Sequence, residues 1–148
     1  MSARFKMGKV QPAAYKAMDA LDNYVSETQV GKIQQELIRI RASLINGCAY
    51  CVHYHSEEAL KAGESGARLQ LVGVWREAQQ VFTAEEQLLF ELTEQITLIH
   101  NHGISDAVYN KAIDLFGEIK TAQIMMIIIT INAWNRIGVG LQLSLIHI

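Results

Sequence analysis

Asn46-Gly47-Cys48-Ala49-Tyr50-Cys51-Val52-His53-Tyr54-His55 joins two apolar helical patterns and holds both cysteines of the chain. Upstream, Ile33, Leu37, Ile40 and Leu44 form one stripe from about Lys32 to Ile45, and Asn46-Gly47 stops it. Downstream, a helix starts near Cys48 and ends at Ala62-Gly63, where Gly63 follows Lys61 as a left-handed cap. The pattern is helix, tight turn, helix, with the cysteine pair in the first turns of the second helix.

Counting around that second helix at about 100° per residue, with Cys48 at zero, puts Cys51 near ~300° and His55 near ~340°. The three side chains then share an arc of roughly 60°, while His53, near ~140°, points elsewhere. Helical residues three apart have Cα atoms roughly 5 Å apart, within the span a disulfide tolerates. The pair is therefore able to close and reopen without dismantling the helix.

The rest of the chain extends the helical pattern. There is one proline, Pro12, glycines fall where apolar patterns break off, and no strand-like alternation competes, so the fold class is all-α. A first helix runs from Pro12 to about Thr28 through Tyr15, Met18, Leu21 and Val25. Beyond the cysteine helix come a short segment from Glu64-Ser65 to Val72-Gly73 and a helical piece around Trp75 to Gln80. Thr83 and Glu86 form a capping box for a helix through Leu88, Leu89, Leu92, Ile96 and Ile99, ended by Asn101-His102-Gly103. Ser105 or Asp106 caps a helix to about Phe116, and a broad apolar helix follows Gly117, from roughly Lys120 to Ile137. Its apolar coverage exceeds one stripe, so burial on nearly all sides is expected, centrally or in a subunit interface. The closing stretch from Leu143 to Ile148 carries no assigned role.

At 148 residues the chain is expected to form a single domain over 1–148, large enough to need no disulfide or metal staple. The two cysteines are thus free for chemistry. A formal charge of −2 with scattered Lys and Arg gives no basic stripe for nucleic acid. The eight-residue run Ile124 to Ile131 is well short of the ~18 apolar residues that span a bilayer, so no membrane partner is expected. Met1 to Gly8 lacks the apolar core of a secretory signal, which points to the cytoplasm, where thiols are kept reduced. In that compartment a C-x-x-C pair reads as catalytic or metal-binding rather than structural.

Only a thiolate attacks peroxides and disulfides, and ordinary cysteine is mostly protonated at neutral pH. Two features favour the anion here: the amides and positive dipole end of the cysteine helix, and the imidazole of His55 as a proton acceptor. His55 in turn needs an orienting carboxylate, for which Glu36 and Glu58 are both candidates. The resulting cycle is thiolate attack on the O–O bond, condensation of the sulfenic acid to a Cys48–Cys51 disulfide, and reduction by an external dithiol. It assigns no cofactor and no metal.

Other chemistries fit the spacing less well. Haem attachment needs histidine directly after the second cysteine, where Val52 stands. A zinc deaminase needs an upstream histidine and glutamate, yet His53 is the first histidine. A structural zinc site lacks a second cysteine pair, and His100 and His102 lie far downstream. Two inert buried thiols with a core histidine are a further possibility. For the other polar residues the simple readings are a Glu36–Arg39 ion pair, packing for Tyr50 and Tyr54, a surface position for His53, and helix-end dipole partners for His100 and His102.

The stretch from Glu36 through His55, with its E-x11-C-x2-C-x3-H spacing, resembles the signature of the AhpD-like alkylhydroperoxidases of the carboxymuconolactone decarboxylase superfamily. The likeness continues to Gly63 and again over Glu94 to Tyr109. It implies an all-α multi-helix domain with the C-x-x-C at the N-terminus of a central helix, assembled into homo-trimers or homo-hexamers. By position, the resemblance implies Cys51 as the peroxidatic thiol, Cys48 as the resolving thiol, His55 as its base through water, and Glu36 rather than Glu58 as the support of His55. It also implies a hydroperoxide substrate and a lipoyl-bearing or thioredoxin-like reductant. Mycobacterial members carry histidine just before the second cysteine, and Tyr50 stands there in this chain. Lactone decarboxylases of the superfamily generally lack the cysteine pair, which places peroxidase chemistry ahead of decarboxylation. A thiol redox sensor or disulfide carrier using the same pair without turnover is the alternative.

Overall fold

A computed structural model describes residues 4–145. Their helices are α1 (Met7–Val10), α2 (Pro12–Ser26), α3 (Lys32–Asn46), α4 (Ala49–Lys61), α5 (Gly66–Leu71), α6 (Ala84–Thr97) and α7 (Asp106–Gly140). Two short 3-10 segments, Val72–Glu77 and Gln79–Val81, link α5 to α6. No strand occurs among the described residues, in agreement with the all-α reading. The first three residues of the stretch Met1 to Gly8 and the last three of the closing stretch lie outside them.

Helix ends follow the local chemistry of the sequence. Pro12 opens α2, where its missing N–H costs nothing. Thr83 and Glu86 form the capping box reciprocally, with Glu86 N–H donating to Thr83 Oγ1 at 3.1 Å and Thr83 N–H to Glu86 Oε2 at 2.9 Å. Ser105 caps α7 through Val108 N–H. Gly117, at φ 76°, breaks α7 into two arms as the glycine suggested. The four-residue α1 has no counterpart in the sequence reading; it carries no buried residue and hence no apolar stripe to recognise.

Helix α3 positions everything else. One cluster, with Val25, Ile38, Leu89, Leu92, Ile124, Ile127 and Ile128, joins it to α2, α6 and α7. A second, with Leu37, Ile40, Ala59, Trp75, Phe82 and Phe90, joins it to α4, the 3-10 segments and α6. Because α3 feeds both cores, Gln35 through Ile40 are all buried, including the charged Glu36 and Arg39. Leu44, assigned to the inner stripe, is instead 39% exposed, since it lies past the end of the second cluster.

Two faces remain open. Helix α2 buries only Val25 and leaves Tyr15 and Tyr24 exposed. The second arm of α7 is covered by α2, α3 and α6, yet Ile119, Ile129 and Val139 face outward, so this chain alone does not bury it on nearly all sides.

Candidate active site

The turn into the cysteine pair is built by the end of α3. Gly47 adopts φ 67°, ψ 30°, a left-handed conformation that suits glycine. Cys48 N–H then donates to Ser43 O at 3.0 Å and Gly47 N–H to Leu44 O at 3.3 Å, the paired bonds of a Schellman motif. That motif delivers Cys48 as the N-cap of α4, with its Sγ accepting from Cys51 N–H at 3.3 Å. Cys48 is thus one residue outside the helix, at φ −88° and ψ 90°, so the helical count applies to Cys51 and His55 but not to Cys48. The two cysteines come together through the cap geometry instead. Their Cα atoms are 5.3 Å apart, their sulfurs are joined as a disulfide, and both residues are buried.

One turn beyond Cys51, His55 Nδ1 bonds Glu36 Oε2 across from α3 at 2.7 Å. Glu36 is 1% exposed. Its other oxygen, Oε1, accepts from Arg39 at 2.6 Å and from Lys32 Nζ at 2.8 Å. Burial alone would raise this carboxyl, but the His55 bond, the Arg39 charge and the Lys32 bond outweigh it and hold it down at about 2. Glu36 is therefore ionised at neutral pH and can only accept. Its partner Nδ1 therefore carries the hydrogen, and in the neutral imidazole this orientation leaves the Nε2 lone pair to face away from Glu36. The simple reading of a Glu36–Arg39 ion pair holds together with the imidazole contact, because the two carboxylate oxygens are used separately. Glu58, the other candidate support, pairs with Lys61 at 2.8 Å on the exposed side of α4.

Behind the turn lies a polar network that the sequence did not reveal. Asn46 Nδ2 donates to Asn132 Oδ1 and Asn135 Oδ1, each at 2.9 Å, and Asn135 Nδ2 donates to Ser43 Oγ at 2.9 Å. Asn132 also reaches Thr97 Oγ1, and Arg136 donates back to Asn132 Oδ1. These bonds latch the end of α3 to α7 over separations of 86 to 92 residues. The available signal was the interruption of the apolar run by Asn132, Asn135 and Arg136. Gly138, one turn further along α7, lies against both sulfurs.

Asp22 on α2 adds a second carboxylate to the neighbourhood, receiving Trp134 Nε1–H at 2.7 Å. Burial pushes its carboxyl above the ordinary value, against the Trp134 bond and the charges of Arg39 and His55. Tyr50 and Tyr54, read as packing residues, are instead 41% and 51% exposed. Tyr54 meets the His55 ring edge-on at 5.1 Å. His53 is half-buried rather than on the open surface, and His100 and His102 lie in the exposed turns after α6. Among the described residues no helix is long and apolar enough to cross a membrane, and no cluster of three His, Cys, Asp or Glu is placed to hold a metal ion.

Residues 12–94 match the model of the carboxymuconolactone decarboxylase family. The chain is similar to the uncharacterized protein YdfG of Bacillus subtilis, 33% identical over 141 residues and covering 95% of each chain. It is also similar to a crystal structure of an Agrobacterium tumefaciens protein of unknown function, described there as a candidate antioxidant-defence protein AhpD. That match has a TM-score of 0.92, 36% identity and 97% coverage of both chains. An uncharacterized peroxidase-related protein from Silicibacter shares the fold, with a TM-score of 0.77 at 19% identity over 87% of this chain and 68% of that one.

Proposed function

Since the chain belongs to the carboxymuconolactone decarboxylase family as an AhpD-like member, we propose that it is a dithiol peroxidase acting on hydrogen peroxide or organic hydroperoxides. The observation that carries this reading is the buried Glu36, clamped by Arg39 and Lys32 and bonded to His55 one turn from Cys51. A carboxylate so held orients an imidazole whose free nitrogen takes a proton.

In the proposed cycle His55 Nε2 accepts the Cys51 proton, directly or through water. The thiolate attacks one peroxide oxygen, the O–O bond breaks, and the alkoxide or hydroxide leaves with a proton returned by His55. Cys51 is then a sulfenic acid. Cys48 attacks its sulfur, water leaves, and the Cys48–Cys51 disulfide forms. An external dithiol, lipoyl-bearing or thioredoxin-like, restores both thiols and becomes a disulfide itself. No cofactor enters the cycle.

The proposal places the protein in the cytoplasm as one domain that assembles into homo-trimers or homo-hexamers. Support for assembly comes from the outward apolar positions Ile119, Ile129, Tyr15 and Tyr24, which a second copy would cover.

The test is peroxide consumption with cumene hydroperoxide and dihydrolipoamide. Cys51→Ser and Cys48→Ser are expected to abolish multiple turnovers, and His55→Ala to slow them by about 10²-fold or more. Unchanged turnover in Cys51→Ser would sink the assignment. Burial of both cysteines, 2% exposed at Cys48 and 6% at Cys51, favours one second reading, a slow redox sensor or disulfide carrier. Stoichiometric oxidation without turnover, in the presence of the dithiol, is its signature.

A further inference from the structure

The C-terminal end of α7 touches the disulfide directly. A Cβ placed on Gly138 would lie 2.9 Å from Cys48 Sγ and 3.3 Å from Cys51 Sγ, so the glycine backbone is the wall behind both sulfurs and crowds Cys48 more. The same point is 3.7 Å from Cδ1 of Leu143. Leu143 arrives there because Gln142 takes φ 53° and reverses the chain, with Leu143 N–H donating to Gly138 O at 3.0 Å and Gln142 N–H to Val139 O at 3.2 Å. This is a second Schellman turn, and in such turns the residue after the reversal packs over the last helical turn. Arg4 holds the turn from the N-terminal segment, donating to Gly140 O at 2.6 Å. Cys48, at the other end of the disulfide, is the N-cap of α4, where backbone amides and the helix dipole favour a thiolate.

We propose that Gly138 and Leu143 are positioning residues for thiol–disulfide exchange: they close the α7 side of Cys48, directing an external dithiol to Cys51 and making Cys48 the leaving thiolate. This rests on the reading that the pair is turned over by an external dithiol. The reductant thiolate forms a new S–S bond to Cys51 Sγ while the Cys48–Cys51 bond breaks and its electron pair passes to Cys48 Sγ. A second, deprotonated thiol of the reductant then attacks the reductant's own sulfur in the mixed disulfide. Cys51 leaves as a thiolate, the reductant becomes a disulfide, and the two cysteines take up the two protons the reductant released. Departure of Cys48 is eased because a leaving thiol with a lower pKa leaves faster.

The experiment uses the single-thiol variants Cys48→Ser and Cys51→Ser, each with and without Leu143→Ala, reacted with 5,5′-dithiobis(2-nitrobenzoate). Cys48 is expected to react about tenfold more slowly than Cys51, and Leu143→Ala to accelerate Cys48 about fivefold while changing Cys51 less than about twofold. Equal rates for the two thiols, or equal acceleration of both, overturn the proposal. Leu143 is 44% exposed, so its truncation spares the core. In oxidised wild-type protein, exchange with excess glutathione, acid quenching and peptide mass spectrometry should find glutathione on Cys51; an adduct on Cys48 overturns the proposal by itself. Loss of peroxide turnover in wild type would defeat the peroxidase reading and leave these thiol selectivities standing, so the two failures are distinguishable.

Discussion

Glu36→Gln is the substitution that separates the charge of the buried carboxylate from its shape. The amide keeps the size of the side chain and a carbonyl to accept from Arg39 or His55, but it is neutral at every pH. In wild type the Glu36 carboxyl lies at about 2 against an ordinary 4.5. At about 1.4 kcal/mol for each tenfold in proton affinity, its ionisation contributes about 3 kcal/mol to folding. The folded value is depressed, so this contribution is fully present above about pH 5 and is lost as pH falls toward about 2. About 1.4 kcal/mol of it should remain at pH 3. The assay is urea unfolding of both proteins from pH 7 to pH 3, followed by circular dichroism. Glu36→Gln is expected to be less stable by about 3 kcal/mol at pH 7, equivalent to a Tm loss on the order of 10 °C for a chain of this length, with the gap more than halved at pH 3. Parallel stability curves for the two proteins would refute the reasoning, because they would mean that Arg39, Lys32 and His55 do not hold a charged Glu36.

Three further outcomes follow from the same geometry. Gly47→Ala should cost about 1–2 kcal/mol in urea unfolding, all of it backbone conformation at φ 67°, since nothing lies within 4 Å of the added Cβ. Gly47→Asn should recover part of that loss. Asn135→Ala removes acceptor and donor from the latch between α3 and α7 and leaves Ser43 and Asn46 short of partners, for a loss of about 1–3 kcal/mol by the same measurement. Asp22→Asn should raise Tm at pH 7, because burial holds the Asp22 carboxyl above its ordinary value and ionisation there opposes folding. The gain should vanish as pH falls below the ordinary carboxylate range, where both states are protonated.

The features legible in the sequence are those that neighbours within one or two turns determine. The capping box at Thr83, the proline start of α2, the breaks at Gly47, Gly63 and Gly117, and the C-x-x-C turn all depend on residues a few positions apart. The motif spacing also singled out Glu36 and His55, which the fold brings within 2.7 Å of each other. The helical count failed at Cys48, because a cap residue has extended backbone and leaves the 100° progression. Tyr50 and Tyr54 were misplaced because apolar periodicity does not say which flank of α4 the remaining helices cover.

What the chain determined by itself was therefore the succession of helices and the chemistry gathered around one turn. Tertiary structure alone decided that Glu36 is buried between the two hydrophobic clusters, that Asn132 and Asn135 pin the cysteine turn, and that Gly138 lies against the sulfurs of Cys48 and Cys51. Helix periodicity and capping are local, whereas the α7 contacts join residues about 90 apart in sequence and exist only once two hydrophobic clusters have packed α7 against α3.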